Sequence, residues 1–206
     1  MIEKLESILM GSMQVLLKEG VKKTTMADVA KHLKISKKTL YKFVTDKNDL
    51  ILKMMQLVKI EDERIINGIL EEGLNAIDEN FEIYKTVIQK LENIHPAVFS
   101  DMEKYHPDAW TYFEEYQNDF VFNCLINNLK RGISEGLYRK DINVEIIAKL
   151  YVHRINDIFN PNVFSPDKYL HAEIYIELFK YHVMGIASEK GIKYLQTKGK
   201  EEQLKF

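Results

Sequence analysis

Two groups of residues in this 206-residue chain have the types and spacing to do chemistry. The first is a pair of Glu-x-x-His elements, Glu92-x-x-His95 and Glu103-x-x-His106. That spacing presents a carboxylate and an imidazole on one helix face, as di-iron helical bundles require. Both histidines immediately precede prolines, Pro96 and Pro107, and so belong to helix ends rather than to the middle of a bundle. Two more inward-facing glutamates on separate helices are also needed, and none stands out. A metal-dependent, di-iron-like helical-bundle enzyme is therefore the alternative reading, not the leading one. The second group is basic and polar: Lys37, Lys38, Thr39, Tyr41 and Lys42, with Thr25 upstream and Lys47 downstream. Ammonium groups and hydroxyls at this density suit the phosphates of nucleic acid. Cys124 is the only cysteine, which excludes an intramolecular disulfide and a cysteine zinc site. It lies in an apolar stretch and reads as an inert thiol. No phosphate loop, nucleophile elbow or zinc-protease helix occurs. The expectation is no enzyme, no cofactor and no metal.

Charge separates the chain into unlike parts. Residues 1–60 hold twelve lysines, no arginine and six acids, a balance of +6, against -8 for the remainder. A basic head on an acidic body suggests a polyanion-binding module joined to something else. No apolar run approaches the ~20 residues of a membrane-spanning helix. The first residues mix Glu3 and Glu6 with Lys4 and do not read as a secretory signal. A soluble cytoplasmic protein with no membrane partner is expected.

The elements that must position the basic group are helical. Apolar residues recur at helical spacing and β-type alternation is absent over useful lengths. Ile2, Leu5, Leu9, Met13, Leu16 and Leu17 form a stripe closed by Gly20. Thr25 with Asp28 three residues on reads as a helix start, followed by Val29, Ala30 and Leu33. Ile35-Ser36 is a turn and Ser36 a cap for a second short helix carrying Thr39, Leu40 and Phe43. Asp46 caps a third, from Lys47 through Leu50, Met54, Leu57 and Val58. Further helices are expected over about 75–94, 97–104, from Pro107 to about Gly136, from Asn143 to Asn160, and from Ser165-Pro166-Asp167 to about 190. The tail, 191–206, reads as frayed and solvated.

Two short helices joined by a tight turn are the form of a helix-turn-helix. Val29, Ala30, Leu33, Ile35, Leu40 and Phe43 supply its core, while Lys37, Lys38, Thr39, Tyr41 and Lys42 are left to project. The ordered set Gly20-x-x-x-Thr24-Thr25-x-x-x-Val29-Ala30, Ile35-Ser36-x-x-Thr39-Leu40-Tyr41-x-Phe43 and Lys47-x-x-Leu50 resembles the N-terminal domain of the TetR family of transcriptional regulators. Gly132–Asp141 resembles a turn found late in such proteins. The chain departs from the family's frequent glycines at Lys34, in the turn, and at Lys38. Lys34 is then expected to take positive φ at a cost. The resemblance and the chemistry agree on roles. Thr25 places a hydroxyl and a backbone N–H on phosphate, Tyr41 and Lys47 reach phosphates, and Lys37, Lys38, Thr39 and then Lys42 face base edges. Without arginine in residues 1–60, no bidentate guanidinium–guanine contact is available, so the phosphate contribution and the salt dependence should be large.

The fold expected is all-α, with a helix-turn-helix DNA-binding domain (1–47), a larger helical ligand-sensing and dimerisation domain (48–190) and a C-terminal tail (191–206). The resemblance implies a ligand-responsive repressor that binds palindromic operator double-stranded DNA as a homodimer, through about 143–160 and 166–190. Candidate interface stripes are Ile147, Tyr151, Ile155, Ile158 and Phe159, then Tyr175, Phe179, His182 and Ile186, with Gly185 permitting close approach. An effector cavity is expected around Trp110, Phe113, Gln117, Phe120 and Asn128, near Val121 and Cys124. An apolar face with few polar groups is the usual small-molecule site. The effector itself is not readable beyond a leaning towards apolar or aromatic molecules.

Overall fold

The computed structural model describes residues 2–92 and 94–201. The side chain of Ile2 and residues 202–206 of the expected tail lie outside the described residues. Three helices and a long fourth build the basic end: α1 (Ile2–Glu19), α2 (Met26–His32), α3 (Lys37–Leu40) and α4 (Lys47–Glu71). Their ends follow the expected signals. Gly20, at φ 91°, terminates α1. Thr25 and Asp28 form a reciprocal capping box at α2. Ser36 caps α3 by accepting from the Thr39 N–H, and Asp46 caps α4 by accepting from the Asp49 N–H. Leu16, Val29, Ala30, Leu40, Val44 and Leu50 are buried together as the core of this head.

The α4 helix crosses the boundary expected after residue 47. Its 25 residues span about 37 Å at 1.5 Å each. Its first turns, through Leu50, Ile51 and Met54, belong to the head's core, and later turns join the body. The body continues with α5 (Ala76–Leu91), α6 (Val98–Tyr105), α7 (Pro107–Tyr116), α8 (Phe122–Ser134), α9 (Val144–Ile158), α10 (His171–Ile186) and α11 (Glu189–Glu201). A π-turn, Gln117–Val121, links α7 to α8, so the helix expected from Pro107 is one rod with a local bulge. The π-turn bonds i to i+5 and so admits one extra residue, which the 3.6-residue pattern of the sequence does not announce. The α6 helix is a wedge: Val98 and Met102 are buried in the head's cluster, while Phe99 stacks on Phe159 of the body. Among the described residues the extended structure is a single bridge, Tyr138 to Ala187.

Three expectations need correction. The helix expected from Ser165 begins instead at His171. Ser165 starts a separate turn, with its carbonyl accepting from Lys168 and Tyr169, and Glu173 caps the Leu170 N–H. The segment expected as a frayed tail is helical to Glu201. The chain breaks at Ala187, Ser188 caps the new helix through the Gly191 N–H, and Leu195 is fully buried. A Cβ at Gly191 would stand 2.0 Å from the Leu137 carbonyl oxygen, so only glycine lets α11 dock there. Finally, most of the stripes expected to face a partner face the chain's own interior. Tyr151, Ile158, Phe159, Tyr175, Phe179 and Ile186 are buried core residues, with Ile147 and Ile155 packed against them. An apolar stripe has the same spacing whichever surface covers it, and here α5 and α8 cover it. The exposed apolar residues of these helices are different: Ile146 and Leu150 on α9, Leu170 ahead of α10, and Tyr181 and Met184 on α10.

Candidate nucleic-acid interface and effector cavity

The head presents its basic side chains outward on a braced turn. Leu40 is fully buried, whereas Lys37, Lys38, Tyr41 and Lys42 are exposed, as are Lys31 and Lys34 beside them. Lys34 sits at φ 54°, the strained conformation its turn position demands of a residue with a Cβ. Thr39 is half-buried, its hydroxyl 2.9 Å from that of Ser36 within the cap. Thr25 is exposed at the start of α2, yet its hydroxyl donates to Asp28 Oδ2 at 2.6 Å and its N–H to the same oxygen at 2.9 Å. These two bonds hold the Asp28 carboxyl below its ordinary pKa. A phosphate arriving at Thr25 therefore meets a hydroxyl that must turn away from Asp28.

Lys47 is placed otherwise than its sequence position suggests. Its ammonium turns inward and donates to the Val21 carbonyl at 2.5 Å. Burial pushes its pKa down, opposed by the charge of Asp101. Asp101 Oδ2 in turn accepts from the Lys22 N–H at 2.9 Å. The two histidines of the Glu-x-x-His elements lie at this same joint between head and body. The His95 N–H donates to the Leu17 carbonyl at 2.7 Å, and its ring lies against Gly20. His106 Nδ1 lies 2.5 Å from Asn48 Oδ1, at the first turn of α4. Burial and the Lys47 charge lower the His106 pKa. Both residues serve the joint, and no group of three or more His, Cys, Asp or Glu among the described residues could hold a metal ion. The enzyme reading has no support in this geometry.

Behind the head lies a cavity of about 590 Å³, enclosed by side chains of α1, α4 to α10 and the π-turn. Phe113, Gln117 and Asn128 line it, as do Val121 and Cys124; Trp110 and Phe120 do not. Trp110 packs on Phe113 with centroids 5.5 Å apart, and Phe120 stacks on Tyr116 at 5.7 Å. Burial raises the Cys124 thiol to about 11, which keeps it protonated. Asn128 is spent on structure. Its amide nitrogen donates to the Ala76 carbonyl and to Glu79 Oε1, and its oxygen accepts from Asn80 and from the Tyr138 hydroxyl. Lining residues beyond the expected set are Tyr151, Phe179 and His182, which the sequence assigned to a subunit interface, and Met13, Met54 and Phe99. A polar residue such as His182 on an otherwise apolar stripe was the available signal. The methionines carried none.

Comparison with known proteins agrees with this geometry. Residues 8–54 match the family model described as bacterial regulatory proteins, tetR family. No curated protein sequence matches the chain. Among solved structures, a transcriptional regulator from Cytophaga hutchinsonii is similar at 20% identity and TM-score 0.67, over 90% of this chain and 99% of that one. A TetR-family regulator from Agrobacterium tumefaciens is similar at 14% identity and TM-score 0.68, over 90% and 98%. A transcriptional regulator from Saccharomonospora viridis, solved in complex with choline, is similar at 13% identity and TM-score 0.69, over 92% and 100%. At these identities the structures speak for the fold of the whole chain, and the family model for its head. Residues 8–54 thus carry the N-terminal domain described for bacterial regulatory proteins of the tetR family, mounted on an all-helical body of the fold those structures share.

Proposed function

We propose that the protein is a ligand-responsive repressor of transcription that grips a two-fold operator as a homodimer. The observation that carries this reading is the outward display of Lys37, Lys38, Tyr41 and Lys42 on a turn braced by buried Leu40. Thr25 and Thr39 complete the DNA-facing set by releasing their hydroxyls from the caps. One such head covers only a few base pairs, so two must be held one helical turn or more apart. The exposed apolar residues Ile146, Leu150, Leu170, Tyr181 and Met184 suit the helix pairing that holds them, and Gly185 between them has open space above it. The segments are those the sequence suggested, about 143–160 and 166–190, but their outer faces are the ones that meet. As a bacterial DNA-binding regulator it acts in the cytoplasm, where its operator lies.

Responsiveness to a small molecule is supported by shared walls. Leu16, Val21, Ile51, Met54, Val98 and Met102 belong both to the head's core and to the cavity lining. A molecule filling the cavity presses on the side chains that set the head's attitude, and so shifts the population of head spacings. The test begins by selecting bound fragments from genomic DNA, followed by mobility shifts over a salt series. Lys37→Ala with Lys38→Ala abolishes operator binding and leaves the dimer intact. Leu150→Glu with Tyr181→Glu gives a folded monomer that binds DNA at least about 100-fold more weakly. Unchanged DNA affinity in the lysine variant would sink the interface.

A further inference from the structure

The cavity's polar groups can be sorted by whether the protein itself answers them. Asn128 is fully bonded, and Asn80 donates to Asn128 and Tyr138. Thr86 donates to the Glu82 carbonyl. The Tyr151 and Tyr175 hydroxyls lie near enough to influence each other. Among the described lining residues the one cation, Lys90, is held by Asp62, and Glu61 is paired with Arg64 at 3.0 Å. Two buried polar atoms of the described lining have no partner. Gln117 is 3% exposed, and its Oε1 has no partner. His182 Nε2 is buried and has none either. Both residues line the cavity. Gln117 is also the first residue of the π-turn, a distortion that often accompanies a functional site.

We infer that the cavity takes an uncharged, mainly apolar molecule whose polar group, a hydroxyl or its equivalent, satisfies Gln117 and His182. This rests on the reading of the cavity as the effector site. A buried acceptor without a partner is costly, and a ligand donor that meets it recovers that cost. A hydroxyl both donates and accepts, so it suits Gln117 Oε1 and either tautomer of His182. An anionic ligand finds no free cation: taking Lys90 strands Asp62 in the wall. A cationic ligand finds Glu61 and Asp62 already paired, and Glu6 out at the exposed rim. Filled at the density of a protein interior, the volume holds roughly 20–25 non-hydrogen atoms.

The test uses the full chain and three probes with one apolar chain and different heads: 1-decanol, decanoate and decyltrimethylammonium, each titrated below its aggregation limit. Decanol is expected to bind at least tenfold more tightly than either ion. Gln117→Leu should cost decanol about tenfold. The unliganded Gln117→Leu protein should unfold at no lower urea concentration than wild type, because it removes an unanswered acceptor. Loss of stability there, with decanol affinity unchanged, overturns the role of Gln117. Either ion binding as tightly as decanol overturns the uncharged class, and if that ion also releases DNA the effector reading survives alone. No binding by any probe overturns the inference. Decanol binding that leaves operator affinity unchanged upholds the inference and sinks the effector reading.

Discussion

The ammonium of Lys47 lies 2.5 Å from the carbonyl oxygen of Val21, so the first residue of α4 ties the end of α1 to the long helix instead of reaching outward. Lysines of one head thus have two employments. Lys47→Met should lower stability by about 1–2 kcal/mol, because a buried carbonyl loses its donor. It should leave the slope of log affinity against log salt unchanged. Lys37→Ala or Lys38→Ala alone should each reduce that slope by about 1 at unchanged stability. Salt-series mobility shifts and urea unfolding on the same preparations separate the two. A smaller slope for Lys47→Met would return that side chain to the DNA.

Strain at Lys34 offers a second check. A residue with a Cβ at φ 54° carries a cost that glycine does not. Lys34→Gly should therefore raise stability by about 0.5–1 kcal/mol. It also removes an exposed charge beside the residues proposed to face DNA, so DNA affinity should fall modestly while stability rises. A variant less stable than wild type would show that the side chain itself secures the turn.

The pH dependence of stability follows from His182. Burial pushes its imidazole down to about 4 from the ordinary 6.5. The unfolded chain then takes up the proton first as pH falls, so stability is lost from about pH 6.5 downward and the loss levels off below about 4. Between about pH 7.5 and 5 this amounts to about 2 kcal/mol. Burial pushes His106 and His171 the same way, which steepens the wild-type curve. His182→Phe keeps a ring and removes the titration. Urea unfolding at the two pH values should show the variant losing about 2 kcal/mol less than wild type, and equal losses would refute the assignment.

Docking of α11 depends on Gly191. The Leu137 carbonyl oxygen lies 2.0 Å from the place a Cβ would take, so Gly191→Ala must displace backbone, not a flexible side chain. We expect a loss of about 2–3 kcal/mol by urea unfolding. Faster amide exchange should appear from Ser188 to Leu195. Exchange unchanged there would mean that α11 is held from elsewhere, for instance through Tyr194 and its hydrogen bonds to Asp78 and Asn75.

Local signals make the head legible in the sequence. Thr25 with Asp28, Ser36 with Thr39, and Asp46 with Asp49 are short-range caps, and each forms where its residues stand. The body is legible as helices but not as surfaces. Tyr151 and Phe179 look identical whether they meet a partner, a cavity or their own core, because the helical repeat records only that a face is apolar. The π-turn at Gln117 and the break at Ala187 depend on bonds between distant or shifted partners, which no local pattern encodes.

From its residues alone this chain determined an all-helical fold, a basic reading head and the order of its helices, since caps, turns and helical spacing act within a few residues. Tertiary structure decided which apolar faces stayed uncovered, that Lys47 turned inward, and that Gln117 and His182 were left unanswered in one cavity. Those outcomes depend on which surfaces compete for the same contact across the fold, and that competition is settled only when all the helices pack.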